Sequence, residues 1–368
     1  MQNQNLLALS EAGVSIWLDD LDRHRIESGN LQELINTKSV VGVTTNPSIF
    51  EKALTSGVVA YQPQLKALAG NTVDQAVRAL TVADVKAACK LFNSVYQKSA
   101  GFDGRVSLEV DPRLANDTAG TIAQAKELWN EVGEPNLMIK IPATDAGLPA
   151  ITEVIAAGIS VNVTLIFSVT RYLQVVDAWL AGLEKAEAAG VNLSQIHSVA
   201  SFFVSRVDTL IDSQLSEIGT PAAIGMKGKA AIANAILAWE AYEDLLTQTR
   251  WLDLRESGAN PQRPLWASTG VKDPAYPDTQ YVVELIAPGC VNTMPEATLN
   301  AVADHGVISD YSIADNYADA HGVISELTAQ GIDFDQVFAT LEKEGVEKFI
   351  GAWEQLLNGL AKALESAK

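Results

Sequence analysis

The chain has 368 residues, 48% of them apolar, and 26 Lys and Arg stand against 45 Asp and Glu for a net charge of −19. That balance excludes a general nucleic-acid-binding surface, which needs a basic face, and obliges any anionic substrate to find a local cationic pocket against an unfavourable field. The length exceeds the usual single core but suits an α/β barrel with insertions.

Residues 14–18 are mostly apolar and run into Asp19 and Asp20, which predicts a strand with carboxylates at its C-terminal end. For Asp20 the helix N-cap is the preferred reading. Ile26, Leu31, Leu34 and Ile35 have helical spacing despite Gly29. Residues 40–43 predict a second strand, ending in Thr44-Thr45-Asn46-Pro47-Ser48. Asn46 precedes a proline and is pushed towards extended backbone, and Ser48 reads as a helix start. Residues 51–100 predict helices, with an amphipathic run over 81–96 that Thr81 or Asp84 would cap. The third strand spans 105–110, and Asp117-Thr118 opens a helix to residue 132. Residues 137–141 form the fourth strand, and 148–157 a helix stopped by Gly158. The fifth strand spans 159–167, and Ser168 caps a helix that Gly190 ends. Strand six spans 198–204, an Ala-rich helix 228–246, strand seven 265–269 and strand eight 281–286. From residue 333 to 368 the chain predicts a helical extension packed on the barrel, with Asp333 and Gln336 as its capping pair. Eight strands alternating with helices, without linker or low-complexity segment, predict one (β/α)8 TIM barrel domain over 1–368 with additional helices. No G-x-G-x-x-G follows the first strand, which disfavours an open doubly wound sheet.

Chemistry concentrates in the fourth strand, Leu137-Met138-Ile139-Lys140-Ile141. A lysine inside a doubly covered strand is costly, because burial disfavours the ammonium. A desolvated amine can attack a carbonyl carbon and form a Schiff base. The alternatives are a buried ion pair or a side chain that snorkels to water. Barrel enzymes keep their sites at the C-terminal ends of the strands, and there the sequence offers Asp19, Asn46, Glu109, Lys140, Asn162, Thr164, Ser201 and Arg206. Asn162 and Thr164 are in phase, as are Ser107 with Glu109 and Ser201 with Phe203. Singly, each has a structural reading: a turn at Asn46, an ion pair of Glu109 with Lys140, satisfied core polar groups at Asn162 and Thr164. Jointly they describe one costly polar cluster where branched apolar side chains are the rule.

Two cysteines, Cys89 and Cys290, and four histidines show no CxxC, HExxH or other ligand spacing. Neither a disulfide framework, a metal nor a cofactor is expected, and a reducing cytoplasm suits the composition. No basic, apolar leader and no run of about eighteen apolar residues is present, so neither secretion nor a membrane span is expected. The Asn-x-Ser/Thr triplets at 116, 162 and 192 read as chance.

Five segments in order resemble transaldolases: Gly42-Val43-Thr44-Thr45-Asn46-Pro47-Ser48, residues 106–111, Leu137 through Thr144, residues 161–168, and Ser201-Phe202-Phe203-Val204-Ser205-Arg206. Residues 266–274 and 288–295 are similar to the longer bacterial form of that family. The resemblance implies a class I enzyme of the pentose phosphate pathway that moves a dihydroxyacetone unit. Donors would be sedoheptulose 7-phosphate or fructose 6-phosphate, and acceptors glyceraldehyde 3-phosphate or erythrose 4-phosphate. It also implies roles: Lys140 as the Schiff-base lysine, Asp19 as acid/base for carbon–carbon cleavage, and Glu109 with Thr164 positioning a water. Asn46, Asn162 and Ser201 would bind the three-carbon unit, and Arg206 the phosphate. Many members carry a second arginine after strand seven; here Lys272 is assigned that place. A lyase of the fructose 6-phosphate or deoxyribose-phosphate type is the rival chemistry, and Phe203 argues against the first. A phosphosugar-binding barrel without catalysis is the rival class, opposed by the intact Asp19, Glu109 and Lys140 set. Oligomeric state is left at monomer or homodimer.

Overall fold

The apolar runs of the sequence become short strands buried on both faces, as parallel strands under a helix layer must be. The computed structural model describes residues 2–56, 58–309, 311–313 and 316–366. Among these, eight strands close into a parallel barrel in chain order: β1 (Ser15–Leu18), β2 (Val40–Val43), β3 (Arg105–Glu109), β4 (Leu137–Pro142), β5 (Val161–Ile166), β6 (Ser198–Phe203), β7 (Gln262–Ala267) and β8 (Val291–Met294). The register sets Glu109 beside Lys140 and Lys140 beside Asn162. No helix among the described residues is long and apolar enough to cross a membrane.

The interior is filled from below upward. At the N-terminal end two buried guanidiniums, Arg105 and Arg263, turn to loop carbonyls: Arg105 Nε donates to Gly101 O at 2.7 Å, and Arg263 Nε to Gly289 O at 2.7 Å. Above them Trp17 lies against Gly42, where a Cβ would come within 2.6 Å of the indole. The polar cluster occupies the C-terminal end. Across that end runs the helix Phe334–Ser366, which packs on the helix Pro47–Ser56. Gly345 lets it settle, because a Cβ there would stand 3.1 Å from Leu165 Cδ2. Leu165 itself has φ 60° and lies where the β5–β6 register shifts, between Val163 and Ile166. A left-handed leucine costs about 1 kcal/mol or more. Here it carries the side chain onto the covering helix.

Several boundaries differ from the sequence expectation. The eighth strand is Val291–Met294, not 281–286; Gln280–Val283 is a short helix. The apolar run Tyr281-Val282-Val283 imitates a strand, but Tyr281 Oη donates to Asp208 Oδ2 at 2.8 Å and the segment packs in the helix layer. The true strand is disguised by two buried polar residues: Asn292, whose amide donates to Tyr281 O in the helix layer, and Thr293, which meets the Thr44 hydroxyl in the barrel wall. Strand seven starts at Gln262 and stops before Ser268, whose φ is 56°. The stretch after Arg23 breaks at Gly29 (φ 81°) into Arg23–Glu27 and Asn30–Thr37. Asp22 caps the first of these, and Asp20 instead pairs with Arg25 at 2.8 Å. The helix expected over 81–96 is Val73–Lys98, capped by Thr72 with Gln75. Thr81 and Asp84 lie inside it, and Asp84 binds Arg23 and Tyr61. The helix after β2 starts at Pro47, not Ser48, with the Asn46 side chain accepting from Ile49 N at 3.0 Å. Of the segments expected to be helical, Gly57 and residues 367 and 368 lie outside the described residues.

Gly147 opens the helix after β4, and a Cβ there would meet Pro142 O at 2.0 Å, a backbone atom that cannot step aside. Gly147→Ala is expected to destabilise the protein by about 3 kcal/mol, as overpacked core sites do. Urea denaturation measures it, and a loss within ~0.5 kcal/mol would contradict the packing described.

Candidate active site

Lys140 is reached from β4 at the C-terminal end of the barrel and is 4% exposed. Its ammonium donates to Thr45 O at 3.0 Å, a carbonyl at the end of β2. Thr45 is held in turn by its own hydroxyl, which donates to Ser107 O at 2.7 Å. Glu109 Oε2 lies 4.0 Å from Lys140 Nζ, the outer limit of an ion pair. The ion-pair alternative for Lys140 is therefore met only loosely, and its close contact is with a neutral carbonyl.

Two carboxylates flank the lysine. Burial pushes the Glu109 carboxyl up to about 7, opposed by Lys140 and reinforced by Asp19. Asp19 keeps part of its side chain open to the mouth, yet the surrounding protein still raises its pKa. Burial is the main cause, and Lys140, the Thr44 hydrogen bond and Arg206 oppose it. Thr44 Oγ1 donates to Asp19 Oδ1 at 2.8 Å and also meets Thr293 Oγ1 at 2.6 Å. A carboxyl near 7 can give and take a proton at neutral pH, which is what general acid–base chemistry needs.

A hydrogen-bonded chain lines the wall beside Lys140. Ser201 Oγ donates to Asn162 Oδ1 at 2.7 Å, and Asn162 Nδ2 donates to Ser107 Oγ at 3.0 Å. All three are buried, and the bonds fix which way the Asn162 amide faces. Two buried polar atoms, Glu109 Oε2 and Thr164 Oγ1, have no hydrogen-bond partner among the described residues. Leaving such atoms unsatisfied costs on the order of 1–3 kcal/mol each, a cost seen at sites that bind something.

Arg206 stands at the start of the helix Ser205–Ile218. Burial lowers its pKa, while Asp19 and Glu344 work the other way. Its guanidinium lies 5.2 Å from the Phe203 ring centre and 6.0 Å from that of Phe349. Phe203 also packs on Phe167 at 5.2 Å. Asn46 is half-buried at the rim, its carbonyl oxygen used in capping. Lys272 is not inside the chamber: it is exposed, in a groove with Asp208, Asp212 and Tyr276. Among the described residues no group of three or more His, Cys, Asp and Glu is gathered to hold a metal.

The reading of the sequence missed what the covering helix brings. Phe349 is 5% exposed, with its ring centre 5.8 Å from Lys140 Nζ. Beside it the pKa of Lys348 is lowered, first by repulsion from Arg206, then by burial, and least by Lys272. A third cation thus faces the pair assigned from the sequence. The helical period places 345, 349, 356 and 360 on one buried face, but nothing in that period says which cavity the face covers.

A buried lysine flanked by two unequal carboxylates, at the C-terminal mouth of a (β/α)8 barrel, is the arrangement of an aldolase-like site. The family model described as Transaldolase/Fructose-6-phosphate aldolase matches residues 16–360. Transaldolase 1 of Streptomyces coelicolor is 61% identical over 98% of this chain and 95% of its own length. Transaldolase of Mycolicibacterium smegmatis is 60% identical over 100% of this chain and 99% of its own, and that of Parafrankia sp. 58% over 98% of each. The chain belongs to the transaldolase/fructose-6-phosphate aldolase family. Its activity is that of a transaldolase of the pentose phosphate pathway, a transferase that moves a dihydroxyacetone unit between sugar phosphates through a lysine Schiff base.

Glu109 also makes a stability prediction. Its folded pKa lies above the ordinary 4.5, so its protonated form is favoured by folding. Stability is full below about 4.5 and lost as pH rises through about 7. Glu109→Gln removes that loss. The variant is expected to gain on the wild type between pH 5 and 7.5 by about 3 kcal/mol, read from urea midpoints across that range. A difference that stays flat with pH would contradict the buried, raised carboxyl.

Proposed function

We propose that Lys140 is the lysine that forms the Schiff base. The observation that carries this is its burial at the mouth of the barrel, bound to a neutral carbonyl and flanked by Glu109 and Asp19. The amine attacks the ketone C2 of the donor. Asp19 takes the proton of the C4 hydroxyl as the C3–C4 bond breaks, and the electron pair flows into the protonated imine to leave an enamine. The aldehyde leaves, an acceptor aldehyde enters, and the same carboxyl returns the proton to the new alkoxide. Glu109 and Thr164, both with a free buried oxygen, position the water that is expelled and taken up at C2. Asn46, Asn162 and Ser201 hold the hydroxyls of the three-carbon unit. Arg206 binds the phosphate, with Lys272 and Lys348 as further cations at the rim.

The whole set comes from one chain, which supports a unit that works as a monomer or homodimer, with residues 1–368 as one domain and 333–368 as its covering extension. Two free, buried cysteines suit a reducing cytoplasm. The preferred substrates follow the family: sedoheptulose 7-phosphate or fructose 6-phosphate as donor, glyceraldehyde 3-phosphate or erythrose 4-phosphate as acceptor.

Phe203 favours transfer over release. Its ring lies between Phe167 and Arg206 and offers no hydroxyl to polarise a water near the enamine, as a phenol would.

Incubation with fructose 6-phosphate followed by borohydride should leave a three-carbon adduct on Lys140, mapped by mass spectrometry; an adduct on another lysine, or none, would overturn the assignment. Phe203→Tyr should lower transfer to erythrose 4-phosphate and raise acceptor-free release of dihydroxyacetone. Both rates are measured on both proteins, and a parallel fall of the two would show that Phe203 has only a packing role.

A further inference from the structure

Beside the helix Phe334–Ser366 a cavity reaches the catalytic end of the barrel. It has a volume of about 230 Å³ and lies beside β3, between the helices Val73–Lys98 and Thr118–Val132. Its inner wall includes Glu109, whose side chain is 6% exposed, and Asn46. Its outer rim carries the ion pair Arg113–Asp74, with side chains 43% and 58% exposed. One cavity therefore touches both a deeply buried catalytic carboxyl and the surface. Val77 and Leu128 form its apolar sides, from opposite helices. The covering helix contributes Trp353, whose buried indole N–H has no hydrogen-bond partner among the described residues. Glu109 Oε2 is likewise unpartnered. A cavity of mixed lining, with polar side chains such as Thr81 and Gln124 on its wall and an unpaired carboxyl oxygen at its inner end, fits several water molecules: each needs about 10–15 Å³ of such volume and two or more polar contacts.

We propose that this cavity is the passage by which water leaves and reaches the imine carbon. The inference rests on the roles assigned above to Lys140 and Glu109. Their chemistry demands a water path. Addition of the Lys140 amine to the ketone moves one amine proton to the oxygen. Loss of that hydroxyl takes a second proton from Glu109, so one water departs, Glu109 is left as the carboxylate and the imine nitrogen keeps its remaining proton. Hydrolysis runs the same steps backward and consumes one water. The roles assigned above put the sugar between Asp19 and Arg206, and Phe349 lies over Lys140. The cavity opens on the side facing Glu109.

The test is enzyme-dependent exchange of the C2 oxygen of fructose 6-phosphate with H₂¹⁸O in the absence of acceptor, read by mass spectrometry. Val77→Phe and Leu128→Phe fill the passage from opposite sides, and circular dichroism checks their fold. Exchange is expected to slow about tenfold or more in each. The fraction of enzyme trapped by borohydride at equilibrium should stay unchanged, because a blocked path slows formation and hydrolysis alike. A general disturbance of the site would lower both. Exchange at the wild-type rate in folded variants overturns the passage. So does a wild type that forms the adduct yet retains its C2 oxygen, since the expelled water would then be held and reused. A wild type with no adduct on Lys140 fails at the earlier step and refutes the lysine assignment instead.

Discussion

An amine inside a barrel core is the constraint around which the rest is arranged. Lys140 stands on a strand whose neighbours are apolar and buried, and an isolated charge there would cost several kcal/mol. The fold answers by turning a carbonyl, Thr45 O, to it and by placing two carboxyls within its field. The same arrangement raises both carboxyls, because neither gains enough from the lysine to offset its own burial. The site is thus destabilised in three places at once. Such a cluster persists because the surrounding barrel is large and apolar enough to carry it.

The geometry divides the chamber into two sides. Towards β6 and β7 lie Arg206, Phe203 and the rim cations, suited to a phosphate. Towards β3 lie Glu109, with its unpartnered oxygen, and the side cavity, suited to water. Lys140 stands between them, in register with Glu109 on one flank and Asn162 on the other. Strand order around a closed barrel imposes this separation: neighbours in sequence are neighbours in space, so chemistry borne by β3 and by β6 must approach the lysine from different directions. The excess negative charge of the molecule makes the local cations necessary, and their mutual repulsion, felt most directly by Lys348, is relieved when an anion sits among them.

The covering helix makes the site a chamber. Gly345 brings it down onto Leu165 and Phe167, and the left-handed turn at Leu165 sets that contact. The helix then delivers Phe349 over Lys140 and Trp353 into the side cavity. Enclosure keeps bulk water from Lys140, and it is the reason a route for water has a use.

The alternation of strand and helix, the phase of residues along each strand and the placing of Lys140, Glu109, Asp19, Asn162, Thr164, Ser201 and Arg206 around one mouth were all legible in the sequence. Period and turn chemistry are local, and a barrel has few ways to close. The sequence misled at 281–286, where an apolar β-branched run belongs to the helix layer, and at β8, where Asn292 donates to Tyr281 O in that layer and Thr293 meets Thr44 in the barrel wall. The bond from Lys140 to a main-chain carbonyl, the pairing of Asp20 with Arg25, the exposure of Lys272, and the arrival of Lys348, Phe349 and Trp353 from a helix two hundred residues downstream were decided only by tertiary structure. Residue type and spacing report what a segment tends to form; which distant segment meets it depends on how side-chain volumes pack, and that is encoded nowhere locally.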